Sequence, residues 1–482
     1  MAKSLSTIKK FQFMDIEKVE PDQNKQFQSV DYNLNNIIPV EFRVYNKLYF
    51  VCGNVKKNFS IPFRIVKIHQ CGKIIDEYIP FSDSIIDFDI KDLEGKTYLI
   101  VLGTDLKNPE TEKSNAKAEM KQSNQFSKDS SVVKVLPSEN SIPSIKIFDF
   151  SKFIEKTNCE INDWKGFAKD EGEYKNRVKI LEGMLTPLVT IYLMRKKSNE
   201  NEFYQGNAGF DDYSPMKNIS YFSISPRLNH IAFSLGEDTL YEIRTDDNFT
   251  FLNAKERKYN VIKSADTKNI TNIKHIIINN QLLLFFTTED NTYFKKSEDL
   301  KANLIADPNM QTGAEEKNFD ITSDNRILIN NASLYCLDEY IYFPEESRYN
   351  KIRSKVFDKP TKFIQIFKNY HVFVLYEETL CTLCVYDPSN NIFISYNSGL
   401  NNILSVIVDN NKIYILSDNQ GIKKIVCFKE KDNKDKFDTF YKKNFFETAF
   451  NYAKSLGYDK KKLSEISKLH AEHLYKKGDY EK

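Results

Sequence analysis

The sequence predicts a mainly β protein: an N-terminal seven-bladed β-propeller followed by the first helical hairpin of an α-solenoid. Three observations predict it. From Phe42 to Phe428 the chain runs in short apolar stretches rich in Ile, Val, Phe, Tyr and Leu, broken by Asn, Asp, Gly and Lys. One unit recurs within them: strand, polar turn, more apolar strand, turn, alternating strand. It occurs at 219–244, 271–296, 319–343, 361–387 and 402–428, a spacing of roughly 40 to 60 residues, as four-stranded blades require. After Lys429 the apolar period changes from two residues to 3.6.

The blade count follows from length. At that spacing about 390 residues make roughly seven blades. No WD or kelch signature is present, so period and strand number carry the assignment, with a pair of β-sandwiches as its rival. The predicted propeller covers 1–430. A polar stretch at about 105–141, poor in aromatics, reads as a disordered insert in an early blade. Lys196 to Lys217 and Ser297 to Lys317 read as further long surface loops.

Residues 431–482 predict the start of a solenoid of tetratricopeptide or clathrin-repeat type. Phe437, Phe440, Tyr441, Phe445, Ala449, Tyr452, Ala453 and Leu456 form one helical stripe, with Gly457 placed for a left-handed C-cap. Asp459 caps a second helix that buries Leu463, Ile466, Leu469 and Leu474, and Gly478-Asp479-Tyr480 ends it. A helical pair cannot bury both faces alone and needs a neighbour, so the chain reads as the front part of a longer protein.

Composition excludes several function classes. The 482 residues carry a net charge of +2, so no bulk attraction to nucleic acid is expected. Seven scattered cysteines and no apolar leader predict reduced thiols in the cytoplasm. No stretch has the length and apolarity of a membrane span, so membrane association is expected to be peripheral, through partners.

Constellations with chemical potential are few. Cys381-x-x-Cys384 lacks a second half-site, and in a strand residues three apart face opposite sides. His470-x-x-His473 shares a helix face but has no further ligand beside it. The acidic pairs Asp211-Asp212, Asp246-Asp247 and Glu345-Glu346 fall in turns. P-loop, GxSxG and HExxH motifs are absent. Trp164, the single tryptophan, reads as a core residue or an interface anchor. A non-enzymatic binding protein without cofactor is therefore expected. A propeller enzyme using its central channel would need convergent carboxylates or histidines, and the six histidines are scattered.

The tail carries a family resemblance. Phe440-Tyr441-Lys442-Lys443-Asn444-Phe445-Phe446, Ala449, Ala453-Lys454-Ser455, Leu463, Ile466 and His473-Leu474-Tyr475-x-Lys477-Gly478-Asp479-Tyr480 resemble the propeller–solenoid junction of the vacuolar protein sorting-associated protein 11 family. Phe367–Val374, Val385-Tyr386-Asp387 through Tyr396, and Ile413–Asp418 are similar to that family's final blade, and Lys9–Phe13 to its opening aromatic segment. The resemblance implies a tethering subunit of the HOPS/CORVET class, acting in endosome and vacuole or lysosome docking, membrane fusion and vesicle-mediated protein transport. It implies as partners other tethering-complex subunits and, through the complex, SNAREs or small GTPases. The family's zinc RING would lie beyond residue 482. Partner contacts are expected on the tail at Phe445, Phe446, Leu463, Ile466, His473, Leu474, Tyr475 and Tyr480. A sister tether subunit or a coat-type scaffold shares the propeller–solenoid plan.

Overall fold

The structure, a computed structural model, describes residues 8–17, 37–106, 141–151 and 186–478, apart from short stretches between strands, the longest of them 305–318. The chain is mainly β, with helices at its C-terminal end. By contact it sorts into two compact units: Met1–Lys18 with Phe357–Ser417 and Ile425–Lys482, and Val19–Val356 with Asp418–Lys424.

The larger unit contains five four-stranded antiparallel sheets, at 37–78, 84–192, 219–262, 270–304 and 319–356. In each, sequence-consecutive strands are neighbours. This meander is the blade plan the repeat predicts. The strand Gln281–Thr288 shows why its residues read as continuously apolar: six in succession are buried. Leu283 and Phe285 pack toward the 319–356 sheet, while Leu284 and Phe286 pack toward the 219–262 sheet. A sheet covered on both faces needs apolar side chains at both parities.

One predicted loop is instead β structure. Within 196–217 the strands Asn199–Phe203 and Tyr213–Pro215 flank Met194–Lys196 in a three-stranded sheet. Its aromatics supply the apolar area that orders it: Phe203 stacks on Tyr259 at 4.6 Å, and Tyr204 meets Tyr213 at 5.3 Å. Of the predicted 105–141 insert, Asp105 and Ser141 lie in strands paired with each other's neighbours, and 107–140 lie outside the described residues, as do most of 297–317 and Trp164.

Gly103, in the strand Lys96–Leu106, marks a close approach. A Cβ there would lie 2.5 Å from the Ser84 carbonyl oxygen and 2.6 Å from the Phe81 ring. Gly103→Ala is therefore expected to destabilise by about 1–3 kcal/mol, read as a lower urea midpoint at unchanged slope.

The smaller unit holds two further sheets, each built on a meander of consecutive strands. One is Thr361–Phe367, Tyr370–Glu377, Leu380–Asp387 and Ile392–Asn401. The other is Ile403–Asp409, Lys412–Asn419, Ile422–Glu430 and, as its fourth strand, the N-terminal Met14–Glu17. Among the described residues this makes six four-stranded sheets and one of five strands, in which Lys9–Lys10 joins the edge strand Ile392–Asn401, besides the three-stranded sheet. The helices share this unit's core with the sheets.

The tail departs from the predicted hairpin. It contains three helices: α1 (Asn433–Lys442), α2 (Phe446–Ser455) and α3 (Lys460–Lys477). The predicted first helix is broken at Asn444, whose φ is 62°. There the Phe445 N–H reaches the Phe440 carbonyl at 2.9 Å and the Asn444 N–H that of Tyr441 at 3.1 Å, a Schellman C-cap with Asn in the left-handed position. The same pair of bonds closes α2, from Tyr458 to Ala453 and Gly457 to Lys454, both 3.1 Å, with Gly457 at φ 71°. Asp459 Oδ1 accepts from the Lys462 N–H at 2.8 Å and starts α3; Gly478, at φ 73°, ends it.

Candidate functional site: the elbow where the helices leave the last blades

The helices, the last two sheets and the N-terminal strand meet in one aromatic core. The N-terminal segment crosses from sheet to sheet. Lys9 and Lys10 run parallel to Ile392 and Phe393. The Phe11 N–H donates to the Phe393 carbonyl at 2.9 Å and the Phe13 N–H to that of Ile394 at 2.8 Å. Met14–Glu17 then pair antiparallel with Cys427–Glu430, and the Lys431 N–H donates back to the Phe13 carbonyl at 2.7 Å. Nine residues thus bind the edges of two sheets.

Their side chains face the helices. The Phe11 ring stacks on Phe13 at 5.3 Å and meets Phe440 at 4.9 Å and Phe445 at 5.2 Å. Phe13 meets Phe440 at 4.9 Å, and Phe440 stacks on Tyr452 of α2 at 5.4 Å. Phe440 is fully buried. Such pairs contribute about 0.5–1.5 kcal/mol each beyond their buried area. Lys9 and Lys443 lie over the Phe445 and Phe11 rings at 4.0 and 5.0 Å.

A charged clasp lies beside the rings. Glu430, at the end of its strand, accepts from Lys436 Nζ of α1 at 2.5 Å and from Lys368 Nζ at 2.6 Å. Lys436 and Glu430 side chains are 3% and 5% exposed. Burial alone pushes the Glu430 carboxyl up; the two ammonium groups outweigh it and hold it below the ordinary carboxylate range. Tyr370 and Tyr452 hydroxyls meet at 3.2 Å, and burial raises both phenols. Turn, α1 and sheet are thereby held in one orientation.

The eight residues expected to meet partners divide by burial. Phe446 and Ile466 are core side chains, 6% and 1% exposed. Phe445 and Leu463 pack against that core from its edge. His473 and Leu474 are half-buried, with His473 5.6 Å from the Phe446 ring. Tyr475 is 71% exposed. Tyr480 lies outside the described residues. An open groove of about 190 Å³ runs between α2 and α3, lined by Phe446, Phe450, Ile466 and His470 with Glu447, Asn451 and Ser467. His470 and His473 share a helix face as expected, and that face meets Phe446 of α2.

Cys381 and Cys384 are buried free thiols, both raised by burial. A thiol held protonated in this way is a poor nucleophile and metal ligand. Asp246 faces Lys258 at 2.5 Å. Asp211 and Asp247 are not among the described residues. Among the described residues no group of three His, Cys, Asp or Glu is placed to hold a metal ion, and no helix is long and apolar enough to cross a membrane. Sequence reasoning missed the role of Phe11 and Phe13 as the other half of the helical core. The signal was the Phe-x-Phe alternation at the start of the chain, whose two rings share one strand face.

No family model matches the chain. Among curated proteins, 99 residues are 35% identical to the vacuolar protein sorting-associated protein 11 homolog of Mus musculus and 33% identical to that of Homo sapiens. That stretch covers 20% of this chain and 10% of each relative. The Arabidopsis thaliana homolog is 25% identical over 127 residues, covering 26% of this chain and 13% of its own. The chain thus aligns with only about a tenth of these relatives' length. Among solved structures, the β-propeller domain of Myceliophteria thermophila Cps50 (Swd1) overlaps 82% of this chain and 97% of its own at 8% identity, with a TM-score of 0.46.

Proposed function

We propose that the chain is the propeller and first helical turns of a tethering subunit of the HOPS/CORVET class. It acts as a non-enzymatic scaffold for endosome and vacuole or lysosome docking. The observation that supports this best is the elbow. A subunit that holds two membranes at a set distance needs its arm fixed to its platform, and here three chain segments distant in sequence lock that joint through Phe11, Phe13, Phe440 and the Glu430 clasp. The local similarity to vacuolar protein sorting-associated protein 11 homologs supports the same reading. The chain performs no covalent chemistry and uses no cofactor. It reaches membranes through sister subunits, which in turn meet SNAREs or small GTPases.

The test is affinity purification of the tagged full-length protein at its native level. The expected result is co-purification of the other tethering subunits and recovery with endosomal and vacuolar or lysosomal membranes. Recovery alone, or only with coat lattices, overturns the proposal; the latter outcome selects the coat-type scaffold instead.

A further inference from the structure

The 219–262 and 270–304 sheets of the larger unit are joined by a polar contact that the elbow and its function do not use. Glu242, on the strand Thr239–Arg244, is 1% exposed. Its carboxylate accepts from Lys295 Nζ of the next sheet at 3.2 Å and lies 3.5 Å from His230 Nδ1. Lys295 is itself 2% exposed. His275, on the strand Ile270–Ile278, is buried beside them, its ring 6.4 Å from that of His230. Ser223 Oγ accepts the His275 backbone N–H at 2.9 Å and lies 3.2 Å from Nδ1. Among the described residues His275 Nε2 is buried without a hydrogen-bond partner.

The ionisable groups facing His275 are mostly basic. From its own sheet comes Lys295. From the neighbouring sheet come His230 and Glu242, and from the strand Ser84–Leu93 comes Lys91, which is paired with Asp89 at 2.8 Å. Among the described residues a single carboxylate, Glu242, faces it, and it already serves Lys295 and His230. A proton added to His275 therefore places a cation in a dry contact whose one anion is occupied.

We propose that this contact is an acid-triggered release: charging His275 separates the 219–262 sheet from the 270–304 sheet, where the closed form holds it neutral. Burial first, and the neighbouring basic groups second, lower His275 to about 3, against the opposing pull of Glu242. The sign follows. A histidine lowered in the folded state leaves stability complete above its ordinary value of 6.5 and withdraws it as pH falls toward 3.

Hydrogen exchange on the intact protein tests this, with rates corrected for the intrinsic effect of pH. From pH 7 to pH 5 the opening constant of strands 219–224 and 270–278 is expected to rise roughly 25-fold, the ratio of unfolded-state protonation factors for a group of ordinary value 6.5. Strands 370–377 and 380–387 should change by less than threefold. His275→Gln, neutral at both pH values, should remove the rise. A wild-type rise below threefold, or a rise kept in His275→Gln, overturns the proposal. Should that variant not fold, the His275 ring resonance of the unaltered protein decides. Staying neutral at pH 5 while exchange accelerates supports the release; titrating near 6.5 with protection intact overturns it.

Discussion

Phe440→Ala is expected to destabilise the elbow by about 3–5 kcal/mol, the range for removing a fully enclosed aromatic ring. The ring is fully buried and makes four aromatic contacts, with Phe11, Phe13, Phe445 and Tyr452. Those partners come from the N-terminal segment between its two strands, the α1–α2 turn and α2, so relaxation of one cannot fill the space left between all. The readout is hydrogen exchange of residues 433–455 in the intact chain, where protection should fall by about two to three and a half orders of magnitude, one for each 1.4 kcal/mol lost. Phe440→Leu should retain most of it, at about 1 kcal/mol. Equal protection in Phe440→Ala and wild type would show that the arm is not held by this core.

Glu430→Ala should cost a similar amount, about 3–5 kcal/mol, for a different reason. It removes the one carboxylate that, among the described residues, faces the buried Lys436 ammonium, leaving Asn433 Oδ1 at 3.1 Å and the Tyr452 ring at 5.4 Å. Most of the cost is that stranded charge, so Lys436→Met added to Glu430→Ala should recover a large part of it. The carboxyl is held below its ordinary 4.5. Its contribution is therefore complete above pH 4.5 and is lost as pH falls below that value. Urea midpoints measured down to pH 4 check this: the wild type should decline more steeply than the double variant. A double variant no more stable than Glu430→Ala would sink the explanation.

Local patterns were legible wherever the cause was local. The inner strands of five sheets fall where the recurring unit placed them, because alternation and short Asn- or Lys-rich turns act within ten residues. The positive φ at Asn279, Lys368 and Asn411 confirms turns that Asn, Asp and Lys runs announced. The cap at Asp459 and the stops at Gly457 and Gly478 were equally readable. The break at Asn444 was not, because the apolar stripe continues at helical spacing across it. Only the Asn, tolerant of left-handed backbone, hinted at it. The 196–217 strands were hidden by their charged and polar letters, and became strands because Phe203 and Tyr204 found neighbours 50 or more residues away.

The acidic and basic residues of the interior were the least legible. Glu242, Lys295 and His275 resemble ordinary strand polar positions, and nothing within reach of each in sequence marks it as buried. Lys295 meets Glu242 across 53 residues, and Ser223 meets His275 across 52.

What this sequence determined by itself is the choice of period: two along the sheets, 3.6 along the arm, with caps and turns where one gives way to the other. Those depend on backbone sterics and on side chains a few residues apart. Tertiary structure alone decided that Phe11 and Phe13, more than 400 residues before Phe440, complete the helical core, and that the N-terminal strand closes the last sheet. Burial is a property of what surrounds a residue, and no periodicity encodes which distant segment will surround it.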